Sequence, residues 1–210
     1  MAIKAVLFDM DGVLIEAKEW HYEALNKALD LFGVPISRHD HLTVFDGLPT
    51  RKKLEMLSLE KGLPSQLHEF INEMKQQYTM DIVYSQCKPK FVHQFALSSL
   101  RAKGYKLAVC SNSVRNSVET MMQKAGLSEY LHFMVSNEDV TKGKPDPEMY
   151  LKAIAHFGLS PSECLVVEDN ENGIRAAKAS GAHLLVVKEV DDTNLHNIQK
   201  RIDEIERIEG

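Results

Sequence analysis

Asp9 and Asp11 stand two residues apart in Phe8-Asp9-Met10-Asp11-Gly12, directly after an apolar run. In extended chain, side chains at i and i+2 point to the same side, so both carboxylates can face one point. Gly12 then permits a sharp turn away. Two crowded carboxylates repel unless a proton or a cation is shared, and a divalent ion that favours oxygen ligands, such as Mg²⁺, meets that need. Standing alone, the motif would read as a solvated Asp-x-Asp-Gly turn. A second pair, Glu168-Asp169, follows the apolar run Cys164–Val167, and by itself reads equally well as a strand cap. Ser111-Asn112 follows Leu107–Cys110, where such a pair more often caps a helix. Lys144, in Lys142-Gly143-Lys144-Pro145-Asp146-Pro147, would alone be solvated surface. What overturns these separate readings is the joint pattern, in which groups from successive strand ends converge on one crevice.

The elements that must position these groups follow from periodicity. Five runs rich in strand formers occur at Ile3–Phe8, Lys106–Cys110, His132–Val135, Cys164–Val167 and His183–Val187. Most are nearly continuous apolar stretches, as expected of parallel strands buried on both faces. Helical patterns separate them. Phe91, Phe95, Leu97 and Leu100 recur at helical spacing before Gly104; further helices span Val114–Ala125, Pro147–Phe157 and Gly173–Ser180. The alternation predicts an α/β fold with a Rossmann-like parallel sheet of about five strands and helices on both faces. One stretch breaks the rhythm. From about Ala17 to Cys87 the pattern is helical throughout, with Gly33, Gly47 and Gly62 between helices. The predicted organisation is a core of residues 1–16 and 88–210 with an all-helical domain inserted at 17–87. At the C-terminus, Leu195, Ile198, Ile202 and Ile205 form the stripe of a docking helix rather than a coiled-coil seam.

Composition narrows the partners. The 210 residues carry 25 Lys plus Arg against 30 Asp plus Glu, a net charge of −5, which argues against nucleic acid as a partner. No apolar run approaches the ~18 residues that cross a bilayer, so no membrane partner is expected. The three cysteines, Cys87, Cys110 and Cys164, form neither a Cys-x-x-Cys nor an even set; Cys110 and Cys164 read as small buried hydrophobes. The expectation is a cytoplasmic protein, monomer or weak dimer, that acts on small molecules.

Asp9-x-Asp11-Gly12-Val13, Ser111, Lys144-Pro145-x-Pro147 and Glu168-Asp169 together resemble the four motifs of the haloacid dehalogenase superfamily of phosphotransferases. The run Asn172-Gly173-Ile174-x-Ala176-Ala177 through Gly181 is especially similar to the phosphatase and β-phosphoglucomutase-like branch, and the helical insert resembles that branch's cap domain. The resemblance implies a Mg²⁺-dependent phosphomonoester hydrolase acting on a small phosphate ester, of the sugar phosphate or phosphoglycolate type. Asp9 would be the nucleophile forming an aspartyl-phosphate, and Asp11 the acid and then the base. Ser111, Asn112 and Lys144 would hold the phosphoryl group. Mg²⁺ would be ligated by Asp9, the Asp11 carbonyl, Glu168 and Asp169.

In the cap, His21 matches a histidine common to phosphatases and mutases, and beside Trp20 it reads equally as a packing residue. Thr50-Arg51-Lys52-Lys53 puts positive charge at the start of a cap helix, to meet an anionic substrate or simply to face solvent. The mutases carry arginine three residues after the cap glycine, where Thr50 stands here, and phosphonoacetaldehyde hydrolases carry a Schiff-base lysine near it. Simple hydrolysis therefore leads over mutase and C–P hydrolase. A receiver-type signalling domain needs no helical insert, and a dead binding module would not need Asp9, Asp11, Lys144 and Asp169 together. His39-Asp40-His41 lacks a third metal ligand nearby.

Overall fold

The apolar runs pair into one parallel sheet. The computed structural model describes residues 2–45 and 48–209. Its strands are β1 (Ala5–Phe8), β2 (Lys106–Cys110), β3 (Phe133–Val135), β4 (Cys164–Glu168) and β5 (His183–Val186), in the order β3-β2-β1-β4-β5. Register runs Phe8 opposite Val109 on one side and Val167 on the other, so the C-terminal ends of β2, β1 and β4 lie side by side. The strand interiors are apolar and buried, as the near-continuous runs require. Glu168, expected just past its strand, is instead the last residue of β4, paired with Val186 and fully buried. A charge is tolerated there because its carboxylate is hydrogen-bonded.

The chain divides into two compact units: residues up to Glu16 with those from Cys87 onward, and Ala17–Gln86. The sequence placed Cys87 in the insert. It belongs to the first unit, where its buried thiol points at the Met121 carbonyl (Sγ–O 3.7 Å).

The insert is helical, with α1 (Lys18–Asp30), α2 (Thr50–Lys61) and α3 (His68–Gln86). Its core joins Leu25, Leu29, Leu54, Leu57 and Ile71. Leu59 on α2 and Phe70 on α3 are apolar but exposed. Asn26 ties the turn after α1 by giving Nδ2 to the Ile36 carbonyl (2.8 Å) and accepting the Ile36 amide at Oδ1 (2.9 Å). His41 is buried and stacks on Tyr22 (centroids 4.5 Å apart).

The first unit adds α4 (Phe91–Ala102), α5 (Arg115–Lys124), α6 (Glu148–His156), α7 (Glu171–Ser180) and α8 (Leu195–Glu209). On α4 only the second half of the predicted stripe, Leu97 and Leu100, faces the core. Phe91 and Phe95 are exposed and stack on each other, whereas His93, Ala96, Leu97 and Leu100 are buried. A polar His93 on that face is satisfied by the Val190 carbonyl (2.8 Å). Helix α7 starts two residues earlier than its glycine suggested, with Asn170 Oδ1 accepting the Gly173 amide (3.1 Å). On α8 the stripe Ile198, Ile202, Ile205 is buried within the chain, with Glu206 accepting the Ile3 amide. No described helix is long and apolar enough to cross a membrane.

Candidate active site

The site is built at the C-terminal ends of the three central strands. Asp9 follows β1 and continues its ladder, donating its amide to the Val167 carbonyl (3.0 Å); its side chain is buried. Gly12 then adopts φ +96°, a left-handed conformation natural to glycine, and turns the chain out of the sheet. Asp11, half-buried, accepts at Oδ2 from Ser113 Oγ (3.1 Å) and Ser111 Oγ (3.4 Å) beyond β2. Ser113 was not singled out in the sequence, although its spacing of two from Ser111 is the available signal.

Lys144 is the centre of the arrangement. Its side chain is only 3% exposed, and Nζ lies 2.5 Å from Asp9 Oδ1, 2.7 Å from Glu168 Oε1 and 2.8 Å from the Cys110 carbonyl. Surface lysines seldom hold one geometry; this one has three acceptors and no room to move. Asn112 keeps its backbone in place. The Asn112 side chain accepts the Lys144 amide (2.9 Å) and donates to the Lys144 carbonyl (3.2 Å). The oxygen and one N–H of that side-chain amide are thus engaged by the loop of Lys144.

Glu168 Oε1 also accepts from the hydroxyl of Tyr150 (2.6 Å), a fully buried residue of α6 whose ring lies under Lys144 Nζ (4.8 Å to the centroid). Tyr150 escaped the sequence reading because a tyrosine on the buried face of a helix looks like core. Glu168 Oε2 accepts the Asp169 amide (3.1 Å) and Asn170 Nδ2 (3.5 Å).

The electrostatics are strained toward the negative. Burial first, and the Glu168 carboxylate second, push the Asp9 carboxyl well above its ordinary range, with Lys144 only partly opposing. Burial also works against the Lys144 charge, but Asp9 and Glu168 outweigh it and hold the ammonium above its usual range. Burial and Glu168 raise the Tyr150 phenol, so it stays a neutral donor. Burial pushes the Cys110 thiol up to about 12, leaving it inert as expected of a small hydrophobe. Among the described residues, the one metal-capable cluster is Asp9, Glu168 and Asp169, each with a carboxylate oxygen within 4.8 Å of the others. An all-oxygen anionic donor set suits Mg²⁺, and the single lysine cannot balance the carboxylates of Asp9, Asp11, Glu168 and Asp169.

The helical unit carries the remaining predicted residues. His21 Nδ1 lies 3.4 Å from Nζ of the buried Lys75. Thr50 opens α2, while Arg51 pairs with Glu55 (3.2 Å) and Lys52 with the same carboxylate (3.7 Å), as on a solvated helix face. Gly47, from which Thr50 was counted, lies outside the described residues.

A parallel sheet with convergent acidic groups, a buried lysine and a serine at its strand ends defines a phosphoryl-transfer type of α/β protein, and the comparisons agree. Residues 6–187 match the family described as haloacid dehalogenase-like hydrolase, and the chain belongs to that family. It is 29% identical over 182 residues to a phosphorylated carbohydrates phosphatase of Thermotoga maritima, covering 85% of this chain and 82% of that one. It is also 29% identical over 187 residues to a β-phosphoglucomutase of Bacillus subtilis, covering 85% and 80%. Among solved structures, β-phosphoglucomutase from Clostridium difficile shares the fold, with a TM-score of 0.82 at 20% identity over 96% of this chain and 98% of that one.

Proposed function

We propose that the chain is a Mg²⁺-dependent phosphomonoester hydrolase for small organic phosphates, working through an aspartyl-phosphate. The observation that carries this reading is Lys144 Nζ held 2.5 Å from a buried Asp9 carboxylate. An anionic nucleophile meets an anionic phosphate only where fixed cations stand around both. Asp9 attacks phosphorus, and the bond to the leaving oxygen breaks. Asp11 gives that oxygen a proton, then takes one from the water that attacks the acyl-phosphate, freeing phosphate and the Asp9 carboxylate. Ser111 and Lys144 bind the phosphoryl oxygens, and the Ser111 and Ser113 hydroxyls hold Asp11 in reach. Asp9, Asp169, the Asp11 carbonyl and Glu168 are the residues that would hold Mg²⁺. When bound, the metal supplies charge neutralisation for the phosphoryl oxygens.

For the substrate class, the relatives named for phosphorylated carbohydrates in Thermotoga maritima and for phosphoglycolate in Aquifex aeolicus support sugar phosphates and phosphoglycolate. Thr50 in place of a mutase arginine supports hydrolysis, while the β-phosphoglucomutase relative keeps isomerisation as the second reading. The test is phosphate release from sugar 1- and 6-phosphates, phosphoglycolate, nucleotides and phosphonoacetaldehyde, with Mg²⁺ and with chelator. Metal-dependent release supports hydrolysis. Conversion of β-glucose 1-phosphate to the 6-phosphate without release would establish the mutase instead, and silence in both would refute the reading.

A further inference from the structure

We propose that Tyr150 and Gly173 are positioning residues that fix the Glu168 carboxylate and, through it, the Lys144 ammonium. The inference rests on the phosphoryl-transfer reading above and adds two residues to it. Glu168 is fully buried, and a carboxylate in such a place must be fixed by donors. Its Oε1 receives two, Lys144 Nζ at 2.7 Å and Tyr150 Oη at 2.6 Å, which converge from neighbouring points of one stretch of chain. A phenylalanine would fill the same buried ring space, so packing alone explains the ring and leaves the hydroxyl unexplained. The hydroxyl is explained by Glu168.

Gly173 closes the other side. It lies inside α7, where alanine is the better helix former, and its φ is not in the left-handed region. Backbone freedom therefore does not call for glycine. Close approach does: a Cβ there would fall 1.7 Å from Glu168 Oε1 and 1.9 Å from Cδ. With Oε2 engaged by the Asp169 amide and Asn170, the carboxylate has one seat. From it Glu168 holds Lys144 against Asp9.

The test is Tyr150→Phe, assayed on the substrate found by the release panel. Losing one hydrogen bond to a charged group should lower kcat by about tenfold or more, with KM within about threefold of wild type. Inorganic phosphate titrated with Mg²⁺ in a calorimeter should bind at least about threefold more weakly, and the melting temperature should fall by about 3–12 °C, the loss of that one buried bond in a chain of this size. On a Glu168→Gln background the same substitution should change kcat by less than about twofold, because its route to Lys144 is already cut. An unchanged kcat, or an equal loss in both backgrounds, would overturn the proposal. Gly173→Ala gives the second arm and keeps the question open to test where Tyr150→Phe fails to fold. It relieves the helix while displacing Glu168, and should cost about tenfold or more in kcat; wild-type turnover in it would refute the seat. Wild-type protein silent on every phosphate ester sinks the hydrolase reading instead, and phosphate binding by the variants still decides the role of Tyr150.

Discussion

Replacing Lys144 with methionine should reveal how much of the fold depends on one cation. Methionine keeps most of the buried stem and removes the ammonium that touches Asp9, Glu168 and the Cys110 carbonyl. Two buried carboxylates then face each other with nothing between them. Removing one partner of a buried ion pair costs about 3–5 kcal/mol. For a chain of this size each kcal/mol moves the melting temperature by about 2–4 °C, so in chelator it should fall by about 6–20 °C. The pH dependence has a definite sign. A carboxyl raised above its unfolded value binds more protons folded than unfolded, so it destabilises fully above the folded value and is relieved as pH falls from there toward the unfolded value. Asp9 is already raised, and loss of the Lys144 charge raises it further. The deficit of the variant should therefore be larger at pH 8 than at pH 5, and Mg²⁺ should restore more stability to the variant than to wild type. Turnover should fall by about 10²–10³, the cost of removing one fixed group that stabilises transition-state charge. The assays are thermal unfolding by circular dichroism across pH, with and without Mg²⁺, and phosphate release. A melting temperature within about 2 °C of wild type in chelator at pH 8 would refute the reasoning, because the buried charges would then not be balanced by Lys144.

Three further outcomes are expected. Asp9→Asn should abolish phosphate release while melting within about 5 °C of wild type, since it keeps the shape of a buried side chain and removes one of the surplus negative charges; full turnover would exclude the covalent route. Asn26→Ala removes both hydrogen bonds to Ile36 and should destabilise the helical unit by about 1–3 kcal/mol. The chain's single tryptophan, Trp20, lies in the same unit, so urea unfolding followed by its fluorescence reads the loss directly. His93 is held below its ordinary pKa, by burial first and by Lys90 as well. The unfolded chain takes up a proton near pH ~6.5 that the folded one refuses, so stability should decline as pH falls from 7 to 5, and His93→Gln should flatten that decline.

What was legible in the sequence is what repeats or punctuates. The strand runs, the turn at Gly12 and the acidic pairs could be read because strand ends in a parallel sheet occur at the end of an apolar run. The partners of those groups were not legible. Tyr150 and Lys144 are six residues apart, and nothing in that spacing says that both reach Glu168; only the folded chain, with α6 packed on β2 and β3, does. Asn112 carries the same ambiguity, because an amide after a strand can bind a ligand or a loop, and here it binds the loop of Lys144. Gly173 looked like the start of a helix, whereas its role is the space it leaves for a carboxylate. The exposure of Phe91 and Phe95 on α4 has a similar cause. Counting apolar residues favoured Phe91 and Phe95, but a histidine satisfied by a backbone carbonyl occupies the buried face.

The sheet order explains why the chemistry collects where it does. From β1 the chain builds β2 and β3 to one side, then crosses back to add β4 and β5 on the other. Connections that leave a central strand in opposite directions open a crevice at its C-terminal end. The strand-end groups at that crevice, Asp9, Asp11, Ser111 and Glu168, come from the ends of β1, β2 and β4. The loop before α6 completes it by sending one long side chain to the C-terminal ends of β1, β2 and β4. Lysine suits that path because a flexible stem with a compact head can reach two carboxylates and a carbonyl at once. Arginine would bring a planar fork into a space already closed by the Tyr150 ring. Lys144→Arg should therefore keep the charge and still lose turnover by about tenfold or more, as misplacement of a fixed cation demands. Phosphate release by that variant at the wild-type rate would show that charge alone matters here, and that the three-point seat of Lys144 does not.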